Sequence, residues 1–144
     1  MNSNHLNDWL LKNKKQSLLM GILNVTPDSF SDGGRYLKKN FAVKHALKMI
    51  NEGADIIDIG GESTKPFSDP VSLDEELSRV LPVIETLRNE TDICISIDTT
   101  KSEVARQALE MGASIINDVS AMEFDLNMVD IALKFDCPII LMHM

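Results

Sequence analysis

Five short apolar segments, separated by stretches with helical periodicity, constrain the fold of this chain more than any other feature. Each segment is rich in Ile, Leu or Val without strict polar alternation, which is typical of parallel strands covered on both faces. Strands are therefore predicted at Leu18–Val25, Asp55–Gly60, Ile93–Asp98, Ser114–Val119 and Pro138–Met144. In a chain of 144 residues, this alternation predicts a single α/β domain.

Helix boundary signals lie between these strands. Ser72 and Glu75 have the spacing of a capping box, and Thr100 and Glu103 repeat that spacing before the next helical stretch. Gly112 stands where the helix after Thr100 should end. Four helices are expected, and they are Phe41–Asn51, one after Ser72, one between Thr100 and Gly112, and Leu126–Phe135.

Residues 1–17 are interpreted as an N-terminal extension, and residues 18–144 as the barrel domain described below. The extension has apolar residues at helical spacing, namely Leu6, Trp9 and Leu10. We expect a short amphipathic helix there that packs against the domain.

Composition excludes several functional classes. The formal net charge of −8 argues against nucleic acid as a partner. The sequence has no run of about 18 apolar residues, so no membrane span is predicted. The first fifteen residues lack the apolar core of a signal peptide. Cys94 and Cys137 lie in apolar runs and are expected to be free, buried thiols, which predicts a cytoplasmic protein.

Polar residues gather at the carboxyl ends of the predicted strands, and they are Asn24, Asp58, Asp98, Asn117 and His143. Enzymes with a (β/α)8 barrel assemble their sites on that rim. Open doubly wound sheets bind at a switch point instead, usually with a Gly-rich phosphate loop, and the sequence has neither GxGxxG nor a Walker-type loop. The chain therefore predicts an incomplete (β/α)8 TIM barrel with about five strands and four helices.

A weak internal repeat supports this organisation. Gly53–Asp58 recurs as Gly112–Asn117 with similar residue types. Two strand–helix units separate the copies, so that one unit has the usual size of a βα step.

Strand parity points to two ring-binding residues. The isoleucines of Ile93–Asp98 share one face, which suits packing against helices, so Asp98 should point into the barrel. A carboxylate there could accept from two adjacent N–H groups of a ring edge; a helix cap is the alternative. Asn117 has the same inward parity and can donate and accept together, although a turn-forming Asn would explain it as well.

Asn24 has inward parity on the first strand, and its amide oxygen could ligate Mg²⁺. Turn formation before Thr26 is the alternative. Two long polar loops follow the first two strands, over Thr26–Gly34 and Gly60–Pro66, and loops of this kind are commonly lids or binding loops. Solvated connections are the plainer interpretation, and His143 is interpreted as a residue of the core or rim.

The segments around these residues resemble the dihydropteroate synthase family. Met20–Gly34 is similar to the first signature of the family, and Asp58–Pro66 is similar to the second. Three shorter segments match further strand ends of the family in order, and they are Ser96–Thr99, Ile116–Val119 and Leu141–Met144.

The resemblance implies a (β/α)8 barrel and a transferase of folate biosynthesis. The family condenses (7,8-dihydropterin-6-yl)methyl diphosphate with p-aminobenzoate, releasing 7,8-dihydropteroate and diphosphate. By position, it implies that Asn24 binds Mg²⁺, that Asp98 and Asn117 hold the pterin edge, and that Met142 lines the pterin pocket. A homodimer is implied for full-length family members.

The resemblance also implies that two loops close over the substrates and that the second shapes the p-aminobenzoate side. The residues concerned are Asp28, Ser29 and Phe30 in the first loop, and Ser63, Thr64 and Pro66 in the second. Lys65 and Phe67 stand where the family commonly has Arg and Gly. Lysine keeps the charge but lacks the planar fork of arginine.

Other family residues that hold the pterin and the anionic groups belong to later strands, beyond Met144. They are an Asp, a Lys, and an Arg with a His neighbour. The chain is therefore expected to be an N-terminal fragment that is inactive alone. Two alternatives stay open: a pterin-binding barrel of the corrinoid-methyltransferase type, which the loop Thr26–Gly34 argues against, and a non-catalytic half-barrel that acts as a binding module.

Overall fold

The computed structural model describes residues 1–12, 16–26 and 34–143, with the side chains of these ranges apart from 34–37. Within these ranges the chain forms five helices and five strands. They are α1 (Ser3–Leu10), β1 (Met20–Asn24), α2 (Gly34–Asn51), β2 (Ile56–Gly60), α3 (Leu73–Glu90), β3 (Cys94–Asp98), α4 (Ser102–Met111), β4 (Ile115–Asp118), α5 (Met128–Phe135) and β5 (Ile139–Leu141). None of the described helices is both long and apolar enough to cross a membrane.

The five strands form one parallel sheet in the order β1-β2-β3-β4-β5. Each strand lies beside its neighbour in sequence, which is the strand order of a barrel. A doubly wound sheet would instead reverse its strand order at a switch point. The topology therefore confirms consecutive βα units of a barrel-type fold.

The two faces of the sheet belong to different apolar clusters. The face toward α2–α5 carries isoleucines with no solvent exposure, and they are Ile57, Ile59, Ile95, Ile97 and Ile116. The opposite, interior face carries a smaller cluster that includes Ile56, Cys94 and Ile115. Burial of each such side chain contributes about 1.5–3 kcal/mol. The predicted parity of β3 is therefore confirmed.

Helix α1 packs against the amino ends of β2, β3 and β4. Leu6 is 4% exposed and belongs to the interior cluster, with Trp9 packed beside it. The Met1 carbonyl accepts from the Cys94 N–H at 2.6 Å. The predicted amphipathic helix is confirmed, but Leu10 is 40% exposed and does not pack as expected, because it lies on the solvent side of the helix.

Two predicted helix ends are confirmed. The N-cap of α3 is Ser72, whose hydroxyl accepts from the Glu75 N–H at 3.2 Å. The C-cap of α4 is Gly112, with φ at 121°, a conformation that residues with a Cβ rarely adopt. Helix α2 begins at Gly34 rather than at the predicted Phe41. The sequence did not reveal this first part of the helix because residues 34–40 are mostly polar or glycine.

The start of α4 differs from the prediction. Its N-cap is Lys101, which makes no side-chain cap, rather than Thr100. The Asp125 carboxylate, which precedes α5, accepts from the Ser102 N–H at 2.7 Å and satisfies the helix end instead. Hydrogen bonds from the side chain and the backbone of Ser102 lower the pKa of Asp125. The capping box was wrong because a residue distant in sequence supplies the cap.

Both cysteines are free thiols. Cys94 is buried as predicted, whereas Cys137 is only half-buried. Burial raises the pKa of both thiols, which makes them poor nucleophiles near neutral pH.

Candidate functional site

Four polar side chains lie on the interior face of the sheet near the carboxyl ends of β2, β3 and β4. We call them the strand-end cluster, and they are Asp58, Ser96, Asp98 and Asn117. Asp58 is the register partner of Ser96, and Asp98 is that of Asn117. The Asn117 Nδ2 donates to Asp58 Oδ2 at 3.1 Å. The amide thus links β4 to β2 across the intervening strand.

Three buried polar atoms of the strand-end cluster have no hydrogen-bond partner among the described residues. They are Asp58 Oδ1, Ser96 Oγ and Asn117 Oδ1. An unpaired buried polar group costs about 1–3 kcal/mol, so such groups require a ligand or ordered water. Asp58 is 3% exposed and Ser96 is fully buried, which places these atoms deep in the site. The cluster suits a ligand that presents N–H donors.

The Asp98 carboxyl is held in an unfavourable place for a negative charge. Burial raises the pKa of Asp98 to about 7, and the charges of Asp58, Glu76, Asp118 and Glu62 act in the same direction. Hydrogen bonds from a ligand would favour the ionised form. A ligand with paired N–H donors would therefore shift Asp98 toward its ionised, accepting form.

Asp58 has a similar environment. Burial raises the pKa of its carboxyl, while the Ser96 hydroxyl and the Asn117 amide act in the opposite direction. Ser96 does not reach a hydrogen bond of acceptable geometry with it, so the Asn117 bond is the specific contact. Asp58 was expected only as a polar strand end, not as a site residue. The internal repeat was the available signal, because it aligns Asp58 with Asn117.

Two glycines shape the end of β2. A Cβ on Gly60 would lie 3.3 Å from Asp98 Oδ2, so the missing side chain leaves room for the carboxylate. A Cβ on Gly61 would lie 2.9 Å from Val80 Cγ1 and 3.2 Å from the Glu76 carbonyl oxygen. The paired glycines therefore let the second loop pass between the strand-end cluster and α3.

The base of the second loop is tied to α3 and α4 by the Lys101 cluster, which comprises Glu62, Glu76, Thr99 and Lys101. Lys101 Nζ donates to Glu62 Oε2 and to Glu76 Oε2, both at 2.6 Å. The Thr99 hydroxyl donates to Glu76 Oε1 at 2.7 Å. Glu76 is fully buried, so these bonds compensate its charge. No sequence motif indicated this cluster.

The second-loop residues lie apart from the strand-end cluster. Ser63 and Pro66 line a cavity of about 760 Å³ beside the first turn of α3, together with Thr26. The described lining contains no residue of β3 or β4. The Ser68 hydroxyl donates to the Ser63 carbonyl at 2.8 Å, and Thr64 is exposed. The described lining of this cavity contains Ser63 and Pro66 but not Asp98.

Phe67 has an unusual backbone conformation within this loop. Its φ is 64°, and its side chain is fully exposed. Residues with a Cβ are strained in this left-handed region, whereas glycine is not. The conformation accounts for the glycine that the resemblance led us to expect at this position.

Asn24 lies in the same register row as Asp98 and Asn117, with Gly60 between it and Asp98. Its side chain is exposed. In the part of the chain that the structure describes, no group of three or more His, Cys, Asp or Glu side chains could hold a metal ion.

The remaining predicted residues are placed as follows. Met142 is 46% exposed and lies two residues beyond Ile140, which packs in the interior cluster. His143 is exposed at the end of the described chain. The first-loop residues Asp28, Ser29 and Phe30 lie outside the described residues.

Comparison with known proteins shows which family this chain belongs to. Residues 20–144 match the family described as pterin binding enzyme. The chain belongs to the pterin-binding enzyme family. Dihydropteroate synthase from Bacillus subtilis is 52% identical over 139 residues, which are 96% of this chain and 49% of that protein.

Solved structures of dihydropteroate synthases agree with this family assignment. Dihydropteroate synthase from Clostridium difficile, in the presence of pteroic acid, superposes with a TM-score of 0.86 and 50% identity over 90% of this chain and 50% of that one. The enzyme from Xanthomonas albilineans with 4-aminobenzoic acid has a TM-score of 0.84 and 49% identity over 90% of this chain and 47% of that one. The chain spans about half the length of these relatives, which confirms the predicted incomplete barrel.

Proposed function

We propose that this chain supplies the pterin-binding half of a dihydropteroate synthase. That enzyme condenses (7,8-dihydropterin-6-yl)methyl diphosphate with p-aminobenzoate, giving 7,8-dihydropteroate and diphosphate. The observation that carries the proposal is the strand-end cluster, in which buried acceptor atoms of Asp58 and Asn117 lack partners beside Asp98. The amino-pyrimidinone edge of a pterin carries adjacent N–H groups that would supply the missing donors.

In this proposal, Asp98 accepts from the paired N–H groups and Asn117 binds the neighbouring ring position. Met142 contacts the apolar face of the ring. Cleavage of the bond between the pterin methylene and diphosphate leaves positive charge on the methylene and ring before the aniline nitrogen attacks. The Asp98 carboxylate, already in a water-poor setting, would stabilise that charge.

We propose Asn24 as the protein ligand of Mg²⁺. Its amide oxygen is a hard donor, and its exposed position leaves room for water and phosphate oxygens, which Mg²⁺ retains in its shell. When bound, the ion would stabilise the negative charge of the departing diphosphate.

The two strand-end loops are proposed as the p-aminobenzoate side of the site. Ser63, Thr64 and Pro66 would contact this substrate when the second loop moves toward the rim, and the Lys101 cluster anchors the base of that loop. Asp28, Ser29 and Phe30 of the first loop are proposed to cover both substrates. The X. albilineans relative with 4-aminobenzoic acid supports this substrate class.

We further propose a cytoplasmic location and, for the full-length protein, a homodimer. Both cysteines are free thiols, which agrees with the reducing conditions of the cytoplasm. The homodimer rests on the resemblance to the family.

Complementation tests the proposed activity. The chain would be mixed with the C-terminal half of the B. subtilis relative, the pterin diphosphate, p-aminobenzoate and Mg²⁺, and dihydropteroate would be detected by mass spectrometry. We expect product with both halves together and none with either alone. Asp98→Ala should abolish it, whereas Asp130→Ala, at an exposed acid on α5, should not. Folded halves that associate but form no product would contradict the proposal.

A further inference from the structure

We propose that Asp58 is a positioning residue that fixes the Asn117 amide so that its carbonyl oxygen faces the ligand as an acceptor. This inference rests on the proposed function, in which the strand-end cluster holds a pterin ring. It assigns to Asp58 a role in selecting which ring edge Asn117 recognises.

The contact that carries the inference joins two strands that are not neighbours. Asn117 lies on β4 and Asp58 on β2, and Nδ2 donates to Oδ2 at 3.1 Å. Asp58 is 3% exposed, so water does not compete effectively for this bond. A charge-assisted bond in such a setting holds the amide more strongly than a neutral one would.

The direction of the amide follows from the chemistry of the partner. An ionised carboxylate can accept hydrogen bonds but cannot donate them. In its ionised form Asp58 therefore pairs only with the NH₂ side of Asn117, as in the observed bond from Nδ2 to Oδ2, because the reverse orientation would place two oxygens against each other. The other arm of the amide, Oδ1, is left buried and without a partner among the described residues. Asn117 thus presents an acceptor beside Asp98.

This arrangement makes the cluster selective. Asp98 and Asn117 are register partners, so their acceptor atoms meet the same edge of a ligand. A ring with N–H donors on that edge is favoured, and a ring with acceptors there leaves buried oxygens unpaired. An unrestrained Asn117 could turn its amide and accept either ring, so Asp58 would be the source of the discrimination.

Side-chain NMR tests the orientation directly. In the ¹⁵N-labelled chain at pH 8, the Asn117 amide signals would be assigned by their loss in Asn117→Asp. We expect a single set, with one proton protected from exchange. Asp58→Asn keeps the shape but can donate or accept, so we expect two sets of Asn117 signals or at least about tenfold faster exchange.

Matched controls separate this role from general packing. Ser96→Ala removes another buried polar group from the same cluster without touching the Asn117 bond, and it should leave the Asn117 signals unchanged. Circular dichroism would verify folding of each variant. Asp58→Leu provides the same comparison if the Asn variant does not fold. Wild-type Asn117 signals in a folded Asp58 variant would overturn the inference.

Ligand binding separates this inference from the proposed function. Titration with pteroic acid should show binding weakened about tenfold or more by Asp58→Asn, the size of loss seen when a residue that orients a ligand-binding side chain is removed. Asp130→Asn, which makes the same change at an exposed acid on α5, should bind near-normally. If the unaltered chain fails to bind pteroic acid, the proposed function is contradicted while the NMR signals still decide the orientation. Equal binding of pteroic acid by the unaltered chain and by Asp58→Asn, with altered Asn117 signals, would overturn the role of Asp58 in recognition.

Discussion

Asp98, which we propose binds the ligand, carries a cost to folding when it is ionised. Its carboxyl is ionised at low cost in the unfolded chain, where the ordinary pKa is 3.8, but burial and four neighbouring acids raise its pKa to about 7 in the folded protein. The folded state therefore binds the proton more tightly than the unfolded state does. A ligand that donates hydrogen bonds to the carboxylate would recover part of this cost.

The first prediction concerns pH. The raised pKa of Asp98 makes its contribution to the free energy of unfolding most favourable below about pH 4, decreasing as the pH rises to about 7 and constant above that. Asp98→Asn removes this dependence. Urea denaturation at pH 5 and pH 8 should show that the variant gains stability relative to wild type at the higher pH. The same difference between the two proteins at both values would contradict the raised pKa.

A second prediction concerns the backbone at Phe67. The left-handed φ of 64° costs about 1–2 kcal/mol for a residue with a Cβ, whereas glycine loses about 0.5–1 kcal/mol through unfolded-state entropy. Phe67→Gly should be at least as stable as wild type in urea denaturation. Phe124→Gly is the control, because Phe124 is also exposed but has a negative φ, and it should destabilise the chain. Equal losses at both sites would contradict the strain.

At the scale of elements, the Lys101 cluster joins three parts of the chain. Glu62 leads into the second loop, Glu76 lies in the first turns of α3, and Lys101 precedes α4. A buried carboxylate such as Glu76 is tolerated only with its partners in place. The position of the proposed p-aminobenzoate loop therefore depends on an ion pair outside the strand-end cluster.

The third prediction removes that ion pair. Lys101→Met leaves Glu76 buried without its cation and should lower the free energy of unfolding by about 3 kcal/mol. Hydrogen exchange should also accelerate over residues 61–71. Arg106→Met, which removes surface ion pairs to Glu103 and Glu110 on α4, should change both quantities far less. Similar effects of the two substitutions would show that Lys101 has no special role.

At the scale of the whole molecule, the described sheet has two open edges. In the ranges that the structure covers, β1 pairs only with β2, and β5 pairs only with β4. Apolar side chains near these edges are exposed, with Ile22 at 61% and Leu141 at 56%. Unpaired parallel strands with apolar neighbours are prone to associate with other chains.

The fourth prediction is that the 144-residue chain self-associates in a concentration-dependent manner. Leu141→Lys should reduce association in sedimentation measurements because a charge on an edge strand disfavours pairing. Leu126→Lys changes a leucine that is even more exposed but lies away from the strands, and it should have little effect. The C-terminal half of a related synthase should convert the oligomers to a one-to-one complex. A chain that stays monomeric at every concentration would contradict the open edges.

Much of the candidate site could be predicted because its positions follow local rules. Side chains alternate across a strand, and the ends of parallel strands meet at one edge, so Asp98 and Asn117 were placed on the interior face from sequence alone. The signature segments then pointed to the family, and the family match confirmed it. The Ser72 cap was equally local and was predicted correctly.

Other features could not be read from the sequence because they join distant residues. The Asp58–Asn117 bond spans 59 positions, and the bonds from Lys101 to Glu62 and Glu76 span 39 and 25. The cap of α4 comes from Asp125, 23 positions from Ser102, which is why the local signal at Thr100 was wrong.

The sequence by itself determined the order of strands and helices, the inward parity of Asp98 and Asn117, and the family, because periodicity and short signatures depend only on neighbouring residues. The tertiary structure alone decided that Asp58 accepts from Asn117, that Lys101 pairs with Glu76, and that the pKa of Asp98 is raised. These properties depend on burial and on distances between strands. Such quantities arise only when the sheet brings remote carboxylates and amides into one water-poor volume.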